Sequence, residues 1–554
     1  MAIYEEKQPT VTWIVLLIAV AFFVSFPLMQ IGMNELYSTE GEYAAAACEF
    51  SGLNTLVTVH GTLPRDVFPL FPALVRILLD FGLPLEFSLR FMSLLPLALL
   101  ALLTGLVCGR AADRQAGAAA AAVVLTTILA GSKAPEGYPQ ILSALIVYTG
   151  WMMWFYLGFV RSKWNAAWLS VGFFGGLAFY ANGLTAVIYF LVPLAFQQRP
   201  FTVWTKLRKP GLPAAILLGA VFFFAWLTPI QNWLAANPAL PPEPPHFRLL
   251  EYFKEIAIRP FDAALRFLPW SLMIWAPFCP ALIAIERNPL LIKYHRILFV
   301  TLSLLIWFNP ETRARDFFYL LPLAAALIGY NYWILVRRYA GQFFSLFSIL
   351  AVLALVCGAA AVAYLMLPQD IFAKFAIGVE LPAEKPVVTL LMKAEIVLSF
   401  LAAGTAILLI KMRRPVWMTY LFVFASYMLL FWSVVNTVRS MDRSKEDMAE
   451  GVLAALTGKE AVPEIPATLY KDPAIMGLYS EGCYIGIPIR TLAHDKIPAD
   501  VDPAYVLTAD VPSHYTRTWT RLYDCEYRKK RLYIYKGVSL KKELSDDDDY
   551  YDYE

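Results

Sequence analysis

The groups in this chain that could do chemistry concentrate in one polar segment after the first long apolar run. Between Gly32 and Pro84 stand Glu35, Glu40, Glu42, Glu49, His60, Arg65, Asp66, Arg76 and Asp80. Carboxylates and histidine are the side chains that most often move a proton during a reaction. Glu40 and Glu42 lie two apart: on a helix they diverge, whereas an extended segment points both the same way. One of the two, rather than a cooperating pair, is therefore the expected working group. Runs such as Tyr43–Cys48 and Leu70–Leu79 are too short to cross a bilayer and are expected to lie at its interface as amphipathic helices. Carboxylates held there suit a reaction between a lipid-borne substrate and a group outside the membrane. Polar chemistry recurs at Glu136, in Pro135-Glu136-Gly137-Tyr138-Pro139, and at Arg313 and Arg315, where a later apolar run begins.

The elements that must position these groups are apolar helices. Of 554 residues, 59% are hydrophobic and 16% charged, whereas soluble domains carry about a quarter charged residues. The balance excludes an ordinary soluble protein, a disordered chain and a disulfide-stapled miniprotein. Lys and Arg number 46 against 43 Asp and Glu, a net charge of +3, so there is no nucleic-acid footprint. The expected fold is a polytopic α-helical membrane protein of about thirteen spans: Thr12–Ile31, Leu85–Cys108, Ala116–Ser132, Gln140–Val160, Trp164–Ala181, Leu184–Phe196, Pro210–Leu227, Leu265–Ile285, Ile297–Phe308, Phe317–Val336, Phe343–Leu367, Val387–Ile410 and Val416–Val438. Leu184–Phe196 and Ile297–Phe308 are short enough to be re-entrant instead.

Alternate loops carry Arg110/Arg114, Arg161/Lys163, Arg199/Lys206/Arg208/Lys209, Arg287/Lys293/Arg296, Arg337/Arg338 and Lys411/Arg413/Arg414. The positive-inside rule assigns all of them to the cytoplasm, and the alternation never breaks. The N-terminus is then cytoplasmic. Gly32–Pro84, Ser132–Pro139, Gln231–Ala264, Asn309–Asp316, Pro368–Pro386 and everything after about Arg439 lie on the opposite face. The first run lacks a basic flank and a small-residue cleavage site, so it reads as an uncleaved helix.

This divides the chain into a membrane domain over 1–438, with its first outer loop at 32–84, a soluble extracytoplasmic domain over 439–544, and an acidic disordered tail over 545–554. In the soluble domain, Ser444 followed by Glu446, Asp447 and an apolar run to Gly458 predicts a capped helix. Ala504–Thr508 and Arg531–Tyr535 predict strands, and Tyr527–Arg531 a hairpin turn, giving a small α/β domain. Cys108, Cys279 and Cys357 fall in apolar runs and read as structural thiols, and Cys48 sits in the first outer loop. Cys483 and Cys525 stand alone in the polar C-terminal region and are candidates for a disulfide in an oxidising compartment, the alternative being two buried thiols. No CxxC or zinc spacing occurs.

The spans are nearly free of ionisable groups. Lys393 and Glu395, near the outer end of one, read as interfacial, which disfavours proton-coupled transport. A non-catalytic lipid transporter or flippase is the alternative function. It calls for an inverted repeat and polar groups at the midplane, and neither is visible. A structural membrane partner would account for the soluble domain and the tail but leaves the first-loop carboxylates without a role.

Thr39-Glu40-Gly41-Glu42-Tyr43-Ala44 resembles the acidic motif, approximately Asp-Glu-x-x-Tyr-Ala, after the first helix of the GT-C membrane glycosyltransferases, in the branch of the aminoarabinose transferase ArnT and the protein O-mannosyltransferases. Thr39 stands where the motif has its leading Asp. Gly61-Thr62-Leu63-Pro64-Arg65-Asp66-Val67-Phe68-Pro69-Leu70 resembles the family's Gly-x-x-x-x-Glu-x-x-Pro-Leu, with Asp66 at the acidic position. Gly175–Gly183 resembles a stretch ending in Lys-Gly, Asn182 replacing the lysine. Leu268-Pro269-Trp270 and Arg313–Pro322 resemble a Leu-Pro-Trp and a basic-then-Tyr-Leu-Leu-Pro element.

The resemblance implies a bacterial inner-membrane enzyme with a periplasmic C-terminal domain. It would move a sugar, with inversion, from a polyprenyl-phosphate donor to the hydroxyl of a lipid, glycan or protein acceptor, as in lipid A or cell-envelope modification. On this reading Glu40 is the first candidate base, with Glu42 and Asp66 as alternates. Arg313, Arg315 and Arg65 would hold the donor phosphate. Glu136 and His60 are additional candidates. A divalent metal is the one cofactor considered, with Asp66 and His60 as possible ligands whose spacing fixes no set.

The topology is directly testable. Protease added to intact spheroplasts should remove the segment after Arg439, and its full protection would exclude this orientation.

Overall fold

The computed structural model describes residues 12–539 apart from 32–33, 38–39, 51–54, 201, 238–248, 284–285, 287, 367–387, 442, 458–467, 474, 476, 493–496, 498–500, 511, 513–516 and 528–529. Thr39, the Pro368–Pro386 loop and the acidic tail lie outside the described residues. The main helices are α1 (Thr12–Ile31), α2 (Glu40–Glu49), α3 (Leu70–Asp80), α4 (Leu85–Ala111), α5 (Arg114–Leu125), α6 (Gln140–Phe155), α7 (Trp164–Ala195), α8 (Gly211–Ala236), α9 (Leu249–Arg266), α10 (Pro289–Phe308), α11 (Leu321–Met366), α12 (Leu390–Lys411), α13 (Val416–Leu430), α14 (Ser444–Thr457) and α15 (Tyr479–Ile485). The strands are β1 (Leu469–Lys471), β2 (Ile489–Thr491), β3 (Ala504–Thr508), β4 (Arg517–Tyr527) and β5 (Lys530–Ser539).

The chain forms two compact units. The first takes Met1–Asn34, Glu86–Phe223 and His246–Asp442; the second takes Glu35–Leu85, Phe224–Pro245 and Arg443–Glu554. The first outer loop thus groups by compactness with the C-terminal segment, whereas the sequence reading kept it with the spans.

Among the described residues, eight helices, most of them in the first unit, are long and apolar enough to cross a membrane. The count of thirteen is not reproduced, for local reasons. Trp164–Ala181 and Leu184–Phe196 are one helix, α7, kinked where Asn182 (φ −151°, ψ 30°) and Gly183 (φ 63°, ψ −153°) leave helical geometry. The runs on either side of Arg337/Arg338 are likewise one continuous helix, α11. Its 46 residues span about 69 Å, because Arg, Ala and Gln favour a helix and the single Gly341 among them does not end it. Arg337 and Arg338 therefore sit on a helix surface, over the rings of Trp333 and Tyr339. The run Leu265–Ile285 instead breaks into short turns, Ser271–Ile274 and Pro280–Ile283, at Pro269, Pro277 and Pro280. Ala116–Ser132 is interrupted at Thr126–Thr127, where the Thr126 hydroxyl bonds back to the Ala122 carbonyl and Thr127 caps a new turn at Ala130 N–H. Gln231–Ala264 was expected to be loop, yet its second half is α9, carrying i,i+4 pairs Glu255–Arg259 and Asp262–Arg266 at 2.6 and 2.7 Å.

Small residues hold this unit together. Every residue of α5 from Gln115 to Leu125 is buried. A Cβ on Gly117 would come within 2.5 Å of the Gly105 carbonyl oxygen, and one on Gly329 within 2.8 Å of the Ala116 carbonyl oxygen. Backbones of α4, α5 and α11 can approach this closely because those side chains are absent.

The second unit is built on a five-stranded sheet in the order β2-β1-β3-β5-β4. β1 runs parallel to β2 and β3, while β5 is antiparallel to both β3 and β4. The predicted strand Ala504–Thr508 is β3, Arg531–Tyr535 lies within β5, and Tyr527 pairs with Lys530 across the predicted turn. On α14, Met448, Ala449, Val452 and Leu456 recur at helical spacing and bury against Leu469, Ile489, Leu507 and Ile534. Each large aliphatic side chain buried in this way contributes about 1.5–3 kcal/mol.

Of the two readings of Cys483 and Cys525, a disulfide or two separate thiols, the structure has the second, with no bridge between them. Cys483 lies on α15, whereas Cys525 is on β4, the sheet edge opposite β2, and packs against the core. Burial, and then the Asp524 charge, push its thiol up to about 11.

Gly183 occupies a backbone region that only glycine adopts readily, at a cost of about 1–3 kcal/mol for other residues. Gly183→Ala should lower the unfolding temperature of the detergent-solubilised protein. An unchanged value would show that the kink does not depend on glycine.

Candidate active site

The carboxylates of the first outer loop are positioned by α2 in the second unit. The Tyr37 carbonyl accepts from the N–H groups of Glu40 and Gly41 at 2.9 and 3.1 Å, and Glu40 Oε2 accepts from Tyr37 N–H at 2.9 Å. Reciprocal bonding of this kind closes a helix N-terminus and satisfies donors that the helix leaves open. Glu40 is fully buried and Glu42 half-buried. They diverge as a helical pair must, which separates the two candidates. Gly41 and Ala44–Ala47 allow α2 to lie on α15; a Cβ on Gly41 would come within 2.5 Å of Ser480 N.

The neighbouring acids and bases have structural work. Glu35 Oε1 accepts from the N–H groups of Lys445 and Glu446, both at 2.9 Å, capping α14 from a distant segment. Arg76 pairs with Asp80 at 2.9 Å and donates to the Cys48 carbonyl at 3.2 Å. Arg65 is exposed and Asp66 half-buried in the loop before α3.

His60 is not placed as a metal ligand. It sits at φ 53° in a tight turn closed by Val59 and Thr62. Its Nδ1 lies 3.2 Å from Lys471 Nζ, and its ring packs near Tyr479. An ammonium facing the imidazole opposes a cation there. Burial, followed by the Lys471 charge, lowers the His60 pKa to about 3. Among the described residues no three His, Cys, Asp or Glu side chains cluster as a metal site. On the same turn, Glu49 accepts from His60 N–H, Thr58 Oγ1 and Gly61 N–H at 2.5, 3.0 and 3.4 Å. Burial nonetheless raises its pKa, outweighing these bonds and the Arg490 charge.

In the first unit, Arg313 precedes a 3₁₀ turn, Ala314–Tyr319, whose buried Asp316 accepts the Arg313 N–H at 2.8 Å. The Arg315 guanidinium lies 3.2 Å from the centroid of the Tyr138 ring. The loop containing Glu136 and the turn containing Arg315 are thereby brought together. Glu136 pairs with Lys133 at 2.7 Å. Tyr138 is fixed by Ser93, which accepts from its N–H and donates to its carbonyl at 2.8 and 3.0 Å.

A polar relay continues from this turn. Tyr319 donates to Ser143 Oγ at 2.7 Å and accepts from Asn182 Nδ2 at 3.0 Å, and Asn309 Nδ2 donates to Tyr189 OH at 2.8 Å. Two segments singled out by resemblance, Gly175–Gly183 and Arg313–Pro322, therefore meet at Asn182 and Tyr319.

Arg259 on α9 was missed in sequence because its segment was read as loop. The i,i+4 acid–base pairs on a helical repeat were the available signal. Its guanidinium is buried and donates to the carbonyls of Trp307, in the last turn of α10, and of Asn309 and Pro310 just after it. Beside it opens an apolar groove of about 260 Å³, lined by Phe267, Phe299, Ile306, Trp307 and Phe317 among others. Arg90 was likewise overlooked inside a span; it is buried on α4 and donates to the Asn34 carbonyl at 3.1 Å.

Comparison with known proteins gives a fold. No family model and no curated protein sequence matches the chain. Among solved structures, ArnT from Cupriavidus metallidurans in the apo state aligns at TM-score 0.62 and 17% identity, covering 94% of this chain and 97% of that one. The same protein bound to undecaprenyl phosphate aligns at 0.60 and 17%, covering 95% and 98%. An apo oligosaccharyltransferase from Archaeoglobus fulgidus aligns at only 0.42 and 12%, covering 87% and 64%. The chain has the ArnT fold, the GT-C type that its motifs resemble, over nearly its whole length.

The buried imidazole makes stability depend on pH. Its folded pKa, about 3, lies below the ordinary 6.5. As pH falls below 6.5 the unfolded chain binds a proton that the folded one refuses, so this contribution to stability is progressively lost down to about 3. Glu49, with its pKa raised, has the opposite slope above its ordinary 4.5. Unfolding temperatures of the wild type and His60→Gln, measured from pH 7 to 4, should therefore converge as the wild type loses its advantage. Parallel curves would refute the buried neutral histidine.

Proposed function

We propose that this protein, with its ArnT fold, is a membrane glycosyltransferase that moves a sugar from a polyprenyl-phosphate donor to the hydroxyl of an extracytoplasmic lipid, glycan or protein acceptor. The observation that carries the reading is that fold over 94% of the chain, since ArnT is a protein solved bound to undecaprenyl phosphate. Consistent with it, the Arg313–Tyr319 turn and the apolar groove beside Arg259 share Phe317, so cationic and apolar surfaces adjoin within one unit. A lipid phosphate presents the matching pair of chemistries.

In the proposed reaction, Glu40 takes the proton of the acceptor hydroxyl as its oxygen attacks the anomeric carbon. The bond from that carbon to the phosphate oxygen breaks, and the electron pair leaves with the polyprenyl phosphate. A single displacement inverts the anomeric centre. Arg313 and Arg315, with Arg65, stabilise the charge gathering on the departing phosphate. Burial of Glu40 keeps water from competing for it. Glu42 and Asp66 are the alternative bases. A divalent metal has no support from His60, whose imidazole faces an ammonium. The proposed setting is a bacterial inner membrane, with the N-terminus cytoplasmic and the acceptor on the opposite face, where envelope glycolipids are modified.

Glu40→Gln retains the shape and loses the proton acceptor, so turnover should fall by roughly 10²–10⁴-fold with donor affinity little changed. Arg315→Ala should weaken donor binding by about 10–100-fold, from roughly 1.5–3 kcal/mol for a charged hydrogen bond. Both are read with a radiolabelled polyprenyl-phosphate sugar. An active Glu40→Gln beside an inactive Asp66→Asn reassigns the base. Full activity in Glu40→Gln, Glu42→Gln and Asp66→Asn alike removes catalysis from this loop.

A further inference from the structure

The second unit contains a cavity of about 840 Å³ that the proposed reaction does not use. Its size lies in the range of small-molecule sites, about 300–1,000 Å³. Glu49 and Arg490 carry the only formal charges of its lining among the described residues, and they cancel. His60 also lines it and stays neutral beside Lys471. Two rings, Trp233 and Tyr470, contribute the broad apolar faces. Trp233 and Asn237 stand four apart at the end of α8 and so share one side of it. The Asn237 amide donates to the Trp233 carbonyl at 3.0 Å, which leaves its own carbonyl oxygen to accept. Arg490 is exposed and lies over the glycine turn, its Cγ 3.7 Å from where a Cβ on Gly61 would be.

This lining discriminates among ligand classes. An acyl chain would cover the Arg490 guanidinium and the Asn237 side-chain carbonyl while offering neither a hydrogen-bond partner. An anion would meet Glu49 with no surplus of positive charge, and a cation would meet Arg490. A neutral sugar satisfies the set. Its hydroxyls both donate and accept, so they can bridge planar carboxylate, amide and guanidinium groups. Its C–H face can lie on an aromatic ring.

We propose that this cavity binds a neutral saccharide unit of the acceptor, with Trp233 as the stacking face and Glu49, Asn237 and Arg490 as hydroxyl ligands. The role as an acceptor site rests on the glycosyltransferase reading above; the binding itself does not. Full-length protein in detergent is examined by saturation-transfer NMR with chitotriose, maltotriose and mannotriose, and separately with a photoreactive polyprenyl phosphate. At least one trisaccharide should receive saturation, and Trp233→Ala and Arg490→Ala should each reduce its affinity at least tenfold while lipid labelling persists. Because Arg490 is exposed, its variant keeps the fold and decides the matter if Trp233→Ala does not fold. Absence of transfer to all three sugars, or affinity unchanged in Arg490→Ala, overturns the saccharide site. If lipid labelling persists in either case, the donor reading stands. Saccharide binding without any lipid labelling removes the donor reading and leaves a sugar-binding unit.

Discussion

An α-helix ends in N–H and C=O groups that it cannot satisfy itself, and in an apolar scaffold water is not there to do so. Much of the polar chemistry in this protein answers that constraint. Arg259 gathers the carbonyls left over at the end of α10, and Glu35 closes the first turn of α14. Asp113, Asn288 and Thr389 cap α5, α10 and α12 from their own N-cap positions. A charged side chain costs several kcal/mol to bury unpaired, so its place is set by where such orphan groups occur. The ends of the helices thereby become the places where polar residues are concentrated and held.

The same constraint shows what each polar group is bound to. Arg76, Asp80 and Glu35 are bound into loop and cap structure. Around Arg315 the arrangement differs: its guanidinium rests on an aromatic face, and Tyr138 beneath it is fixed by Ser93. Glu40 combines both, since it closes the start of α2 while its carboxylate stays the buried acid of that turn. A side chain whose rotamer is locked by a backbone bond is held in the way that a catalytic group requires.

Electrostatics in the second unit illustrates how burial competes with pairing. Glu49 accepts three hydrogen bonds and faces Arg490, yet desolvation still raises its pKa. His60 is deprotonated by the same burial, assisted by Lys471. Both shifts favour the neutral form, because burial penalises whichever form is charged.

The sequence by itself determined the class of fold. Periodicity and length are local properties, so α1 falls on Thr12–Ile31, β3 on Ala504–Thr508 and α14 on its capped run. The short motifs pointed to an ArnT-type arrangement because order along the chain survives where identity is low. Tertiary structure decided what local pattern cannot express. Arg337 and Arg338 read as a loop but lie on a continuous helix, since charge alone does not terminate one. α9 read as loop because its charged residues keep its hydropathy low and Pro260 stands inside it. The cap that Glu35 places on α14, the meeting of Asn182 with Tyr319, and the Lys471 ammonium beside His60 join residues far apart in the chain. Such contacts depend on close approach between elements, which the glycines and alanines at their crossings permit and which spacing along the chain does not encode.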